Sequence, residues 1–522
     1  MADAVPAVAS RPIRLLLSFL TVGGWTMASR VLGFVRDVMI AAFLGAGPVA
    51  EAFFVAFRLP NMFRRFFAEG AFNMAFVPMF AKKVEGDGED AARAFGREAQ
   101  AVLLAALVAL TVVAEIAMPW FVLALASGFD GPTFELAVLF SRIGFPYILF
   151  ISLTALYSGV LNSFGRFAAA AAAPTLLNIA LIGAMLLAWW LDLNMGLTLA
   201  WSELIAGIAQ LGLVLWAAKR IGMALGLQWP RLTPQVRRLV RIGIPAVLAG
   251  GVVQINLVVG TQVASYFDGA VAWLSYADRL YQLPLGVVGV AIGVVLLPEL
   301  SRRFRTGDTV GMREALNRAT EFTLILTIPA AVSLVAIPEL ICRVLYQRGA
   351  FDAVDTANTA LALAVYAVGL PAFTMQKVLQ PAFFAREDTM TPLRYAAVSM
   401  LVNVGVAVGL APVIGFVSAA LGTTLAGWVN LALLWRGVRR LGGLDADPRL
   451  RRRLPRIALA SALMGVLTLA IAWAAARWQP ELPGLALAAV VVLGMATYAF
   501  LSLAIGAFAL SDIRAAMRRS RS

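Results

Sequence analysis

Eight ionisable side chains sit between residues 30 and 80, in sequence that otherwise reads as two membrane-crossing helices: Arg30, Arg36, Asp37, Glu51, Arg58, Arg64, Arg65 and Glu69. A guanidinium cannot shed its charge by losing a proton, and an arginine at the centre of a membrane helix costs about 2.5–3.5 kcal/mol on insertion scales. Several of them facing lipid would cost roughly 10 kcal/mol or more. The cheaper arrangement is a wet cavity between helices, where the cations face water, counter-ions or an anionic ligand. Helical spacing sorts the group. Arg65 and Glu69 can pair along one helix face. Asp37 lies about 10 Å along the axis from Arg30, too far for direct pairing. Arg30, Arg36 and Arg64 therefore have no obvious local partner, although Asp37 follows Arg36 directly. Pro60 is expected to break the second helix near its middle, and Gly23, Gly24 and Gly33 to loosen the first. Broken helices are tolerated at membrane depth where they line a cavity. For any single arginine, snorkelling or a structural ion pair is an equally good account.

The elements that must hold these charges are apolar. Of 522 residues, 61% are hydrophobic and 14% charged. Apolar runs of about 20 residues recur along the whole length, each enough to cross a ~30 Å hydrocarbon core. The expected fold class is an all-α polytopic membrane protein with fourteen transmembrane helices. These lie at 16–44, 49–80, 99–127, 133–161, 169–191, 195–218, 238–266, 270–300, 315–344, 353–385, 391–411, 414–436, 456–476 and 483–510. Residues 1–14 resemble the start of a signal anchor that is retained.

Charge gives the orientation. The chain holds 43 Lys and Arg against 29 Asp and Glu, a formal net charge of +14. In a soluble protein that surplus would suggest nucleic acid, which is not expected here. Connections on one side are short (GAGP, SGFDGP, LDLN), and only Arg343, Arg348 and Arg477 fall there. The loops and tails of the other side hold most of the basic residues, which puts both termini in the cytoplasm. Inside the spans remain Arg30, Arg36, Arg58, Arg64, Arg65, Arg142, Arg279 and Lys377. One cysteine, Cys342, excludes an internal disulfide and a thiolate metal cluster, and the lack of histidine removes the commonest metal ligand and general base. No cofactor, metal or catalytic residue is expected.

An internal repeat organises the spans. VPMFAKK at 77–83 returns as LPELSRR at 297–303, and Gly144, Pro146 and Asn178 return as Gly369, Pro371 and Asn403. Both matches map spans one to six onto seven to twelve, giving two pseudo-symmetric six-helix lobes of like orientation. The expected domains are an N-terminal lobe over 1–220, a C-terminal lobe over 221–440 and a helix pair over 441–522. YADRLYQLP at 276–284 then corresponds to the FRLPN region, so that Arg279 and its neighbour Asp278 belong with the first-half charges, Arg279 facing them across the lobe interface. The last two spans offer a Leu/Ala/Val-rich surface that suits lipid contact or a lipid tail.

SRVLGFVRD, AFFVAFRLPNMFRRFFAEGAF with the following FVP, and YADRLYQLPLGVVGVAIGVVLLPELS resemble the MurJ (MviN) lipid II flippases of the MOP exporter superfamily. The likeness extends over the whole chain. It implies transfer of undecaprenyl-pyrophosphate-linked disaccharide pentapeptide (lipid II) from the cytoplasmic to the periplasmic leaflet of the inner membrane for peptidoglycan synthesis. It implies that Arg30, Arg36, Arg64 and Arg279 bind the substrate, with Asp37, Glu51, Arg58, Arg65, Glu69 and Asp278 as a supporting charge network. Glu51 stands where the family has aspartate. Some relatives carry a sodium site with a carboxylate in the seventh helix; Gly260 stands near that place, which counts against sodium coupling. The residue chemistry agrees, because guanidinium forks bind pyrophosphate oxygens bidentately. Membrane lipids and cell-wall synthesis proteins are the other implied partners.

Rival classes fit less well. A flippase for another polyprenyl-pyrophosphate glycan is the nearest alternative. A cation-drug exporter would want acid in its cavity, and a channel or scaffold does not need the lobe repeat. A membrane-embedded glycosyl or prenyl transferase would need an acidic metal cluster. GDGED at 86–90 reads as a solvated loop, and Glu115, Glu135, Glu203, Glu299 and Glu339 are scattered near span ends, where structural roles are expected.

Overall fold

The apolar runs fold as helices that stop where prolines and capping side chains stop them. The computed structural model describes residues 11–64, 71–442, 446–478 and 482–508. Among these residues the regular structure is helical, and the chain divides into two compact units, Met1–Gln254 and Ile255–Ser522.

The first unit contains α1 (Arg11–Leu44), α2 (Pro48–Arg64), α3 (Ala71–Gly86), α4 (Glu89–Ala126), α5 (Gly131–Gly144), α6 (Tyr147–Ser163), α7 (Ala168–Trp190) and α8 (Met195–Arg220). α9 (Pro234–Ala264) carries the chain on. Its tight connections end in capping residues that satisfy orphan backbone donors. Asp130 accepts from the Thr133 amide at 2.9 Å, and Asn194 from the Leu197 amide at 3.0 Å. α1 and α8 both pack along α7, and α2 packs along α5.

The second unit contains α10 (Ala270–Arg305), α11 (Thr309–Ala336), α12 (Pro338–Tyr346), α13 (Ala353–Phe384), α14 (Met390–Ile414), α15 (Val417–Arg440), α16 (Pro448–Trp478) and α17 (Pro483–Ala504). α13 is its central helix, packed against α10, α11 and α15 over a core that includes Leu316, Met375, Leu379, Phe383 and Leu434. α16 lies along α11, and α17 lies along α16.

Ten stretches among the described residues are long and apolar enough to cross a membrane, and they coincide with ten of the expected spans. The other expected spans, 16–44, 49–80, 238–266 and 270–300, fall on α1, on α2 and α3, on α9 and on α10.

Several local expectations change. α1 runs unbroken through Gly23, Gly24 and Gly33. Gly33 instead gives room to Asn178, whose amide would lie 3.5 Å from a Cβ there. α2 continues for a turn past Pro60, and the side chain of Asn61 donates to the Phe57 carbonyl at 2.7 Å. The expected span 133–161 is two helices, parted at Phe145–Pro146. Span 315–344 is likewise divided, at Ile337 before Pro338. A proline lacks the donor that would close the preceding turn, so an apolar run need not be one helix.

Close approach of α14 and α15 depends on Gly422. A Cβ there would lie 2.5 Å from Asn403 Oδ1 and 2.9 Å from the Asn403 carbonyl oxygen. Gly422→Ala should therefore destabilise the second unit by about 1–3 kcal/mol through overpacking against backbone, read as a lower unfolding temperature in detergent.

Candidate functional site

The first unit gathers its charges around the middle of α1. Arg36 and Asp37 are both buried, at 6% and 5% exposure. Arg36 Nη2 and Nε donate to Asp37 Oδ1 at 2.6 and 3.0 Å, and Nη1 donates to Asn178 Oδ1 at 2.9 Å. Asn178, on α7, returns its amide to the Ser29 carbonyl at 2.9 Å. The Arg36 guanidinium also lies 5.5 Å from the ring centroid of Phe57 on α2, a cation–π distance. One arginine thus ties α1 to α7 and α2. Its expected lack of a local partner is corrected: adjacent residues on a helix do not face each other, yet the long arginine folds back onto Asp37. A guanidinium has five donors, and this arrangement commits three.

Asn178→Ala would leave Arg36 Nη1 and the Ser29 carbonyl short of a partner inside the bundle. We expect a loss of about 1–3 kcal/mol in stability, measured by thermal unfolding of the purified protein.

Arg30 is different. It sits on α1 near the centre of the expected 16–44 span, is exposed, and makes no hydrogen bond or ion pair among the described residues. Arg58 and Arg64 are half-buried on α2, and Arg64 closes its last turn, next to Phe63. Phe63 packs edge-on against Phe145 at 5.6 Å, so the α5–α6 break helps to seat the end of α2. Glu51 is buried in the first turn of α2, where a carboxylate suits the positive end of the helix dipole. Arg65 and Glu69 lie outside the described residues.

Glu203 of α8 reaches the same region. It is 1% exposed, its Oε2 would lie 3.0 Å from a Cβ at Gly144, and its carboxylate is within electrostatic reach of Arg36 and Arg64. The sequence placed it among structural carboxylates near span ends. What marks it is depth in the bundle, a tertiary property that no local pattern reports.

In the second unit, Arg279 is exposed on α10, and Asp278 beside it is half-buried and accepts from Gln282. Tyr281, one turn on, stacks on Tyr366 of α13 at 5.1 Å, which fixes the face of α10 that carries the pair.

A charge cluster that the sequence did not single out lies further along this unit. Glu321 of α11, 6% exposed, accepts from three arginines. Arg449 bridges both its oxygens at 3.0 and 3.1 Å, and Arg318 and Arg453 complete the set. Arg318 also pairs with Asp447, whose other oxygen caps α16 at the Leu450 amide. The basic first turns of α16 are therefore partly an ionic clamp onto α11.

Ten helical stretches long and apolar enough to cross a membrane, with buried and exposed arginines on the helices beside them, mark a multi-pass membrane protein. The fold matches a solved "Lipid II flippase MurJ, inward closed conformation" at TM-score 0.79 and 25% identity, over 92% of this chain and 97% of that one. A multidrug resistance MATE family transporter of the MOP superfamily matches in fold alone, at TM-score 0.68 and 14% identity over 81% of this chain and 97% of that one. A family model described as "Lipid II flippase MurJ" matches residues 40–492. The chain is 44% identical over 521 residues to a probable lipid II flippase MurJ of Rhizobium tropici, covering 97% of each. It is 38% identical over 498 residues to the lipid II flippase MurJ of Burkholderia cenocepacia, covering 93% of this chain and 96% of that one. The chain belongs to the MurJ family of lipid II flippases.

Proposed function

We propose that this protein moves lipid II from the cytoplasmic to the periplasmic leaflet of the bacterial inner membrane by alternating access. It is a transporter and not an enzyme. Family membership supports the substrate class, and the observation that carries the chemistry is Arg30: an exposed guanidinium, unpaired among the described residues, in the middle of a membrane helix. At that depth a cation needs water or an anion, and the substrate's pyrophosphate supplies two negative charges. Arg30, Arg36, Arg64 and Arg279 are the proposed pyrophosphate ligands, Arg36 using the donors that Asp37 and Asn178 leave over. Asp37, Glu51, Arg58, Arg65, Glu69 and Asp278 form the proposed supporting network.

The polyprenyl chain can stay in lipid while the charged sugar and peptide follow a hydrated path. We infer rocking of lobes 1–220 and 221–440, with the pair 441–522 appended, and both termini in the cytoplasm, where the loop arginines concentrate. Neutralisation of the arginines by the ligand would lower the repulsion that holds the inward side open. Cell-wall synthesis proteins are the proposed further partners. The test is reconstitution in liposomes with lipid II in one leaflet. Exchange that depends on the protein supports the reading; exchange no faster than in empty liposomes overturns it. Equal transfer of a polyprenyl-pyrophosphate glycan lacking the peptide would assign a broader substrate.

A further inference from the structure

A groove of about 640 Å³ opens on the first unit, bounded by Trp25 of α1, the turn between α6 and α7, and Trp216 and Arg220 of α8. That volume falls within the range of about 300–1,000 Å³ typical of small-ligand sites. Its walls are largely apolar, Phe167, Ala172 and Leu213 lining it along with the two tryptophans, and none of its lining residues is acidic. Two guanidiniums stand at one end. Arg166 follows Gly165, whose φ of +68° makes the turn, and its amide is held by the Leu161 carbonyl at 2.9 Å. The Arg166 side chain is exposed and makes no hydrogen bond or ion pair among the described residues. Arg220 stacks on Trp216 with 3.8 Å from its guanidinium carbon to the ring centroid.

The chain carries its own comparison. Arg166 follows the end of α6 and Arg220 closes α8; in the second unit Arg386 follows the end of α13 and Arg440 closes α15. In the second unit Arg386 is spoken for: its Nη2 donates to the Leu441 carbonyl at 3.0 Å, and its guanidinium lies over the Phe304 ring at 5.5 Å. There the arginine fastens the end of α15. Its counterpart in the first unit is left at the rim of an apolar groove.

We propose that this groove binds one anionic phospholipid, its phosphate held by Arg166 and Arg220 and an acyl chain lying between Trp25 and Leu213. Guanidiniums take phosphate oxygens in a planar fork, tryptophans favour the headgroup level, and basic pockets between membrane helices suit acidic lipid headgroups. The occupant is a lipid of the bilayer itself, distinct from the transported substrate.

Native mass spectrometry of the full chain, purified in detergent and offered phosphatidylglycerol and phosphatidylethanolamine in equal amounts, tests the site. The unaltered protein should retain phosphatidylglycerol about tenfold over phosphatidylethanolamine. Arg166→Gln with Arg220→Gln should bring the two lipids near parity. Arg238→Gln with Arg241→Gln, which removes the same charge from the exposed start of α9, should leave the preference intact. Ala172→Trp, which fills the groove, should lower retention of phosphatidylglycerol. The proposal is overturned if the first pair keeps the preference, if the α9 pair loses it equally, or if Ala172→Trp has no effect. Lipid II is absent throughout, so the outcome is independent of the flippase reading.

Discussion

Replacing Arg30 by alanine should cut lipid II transfer by about thirtyfold or more while leaving the protein folded and inserted. The loss follows from removing one partner of a desolvated charge pair, which costs about 2–5 kcal/mol. Preserved folding follows from the surroundings of Arg30: it is exposed and makes no ion pair among the described residues, so its removal strands no partner there. Membrane insertion of α1 should even become easier, by up to about 2.5–3.5 kcal/mol. A transport defect combined with unchanged or raised thermal stability is a signature that a structural arginine would not give. Arg36→Ala makes the contrast, because it would leave Asp37 buried without its nearest cation and release Asn178, losing stability and transport together. Arg30→Lys separates charge from geometry: a point charge should restore little if the planar fork is what grips the diphosphate. Leaflet exchange of lipid II in proteoliposomes, with unfolding temperatures in parallel, reads all three variants. Retained exchange in Arg30→Ala would remove this residue from the site.

The second large effect concerns Glu321. Glu321→Ala leaves Arg318, Arg449 and Arg453 crowded around a vacated, mostly buried position, with Asp447 as the remaining counter-charge on Arg318. Removing one side of a buried ion pair costs about 3–5 kcal/mol, and here one carboxylate serves three cations. We expect the cost at the upper end of that range, with α16 loosened from α11. Limited proteolysis in the 441–448 connection, together with thermal unfolding, would detect it. Glu321→Gln keeps the shape and part of the hydrogen bonding and should be milder. An unaltered melting profile for Glu321→Ala would show that the arginines satisfy themselves elsewhere.

The architecture was largely legible because apolar runs of membrane length are a local property, written in consecutive residues. Arg30 was legible for the same reason: a cation in the middle of such a run is visible without any neighbour. The breaks at Pro146 and Pro338 are hidden by hydropathy that continues smoothly across both prolines. In the sequence Asn178 stands out only as a member of the repeat, and its work depends on Ser29 and Arg36, far away in sequence. Glu321 is not legible for a similar reason: two of its arginines, Arg449 and Arg453, belong to a basic stretch whose charge the orientation rule already accounts for. Periodicity reports which face of a helix is apolar and does not report what stands opposite.

The repeated glycine and proline have one more implication. Gly144 admits Glu203 from α8, and at the matching position Gly369 gives room to the Phe373 ring of its own helix, with the Thr424 hydroxyl of α15 3.3 Å from where a Cβ would lie. Thr424 donates to the Val365 carbonyl at 2.9 Å, whereas Glu203 lies within reach of two arginines. Pro146 separates two helices, while Pro371 sits inside α13. The two positions that the sequence pairs are therefore electrically unlike: an acid lies beside Gly144 and a neutral hydroxyl near Gly369. A chimera carrying either segment twice would not be an interchange of equivalent parts, because it would change the charge balance of a bundle interior as well as the stiffness of a helix.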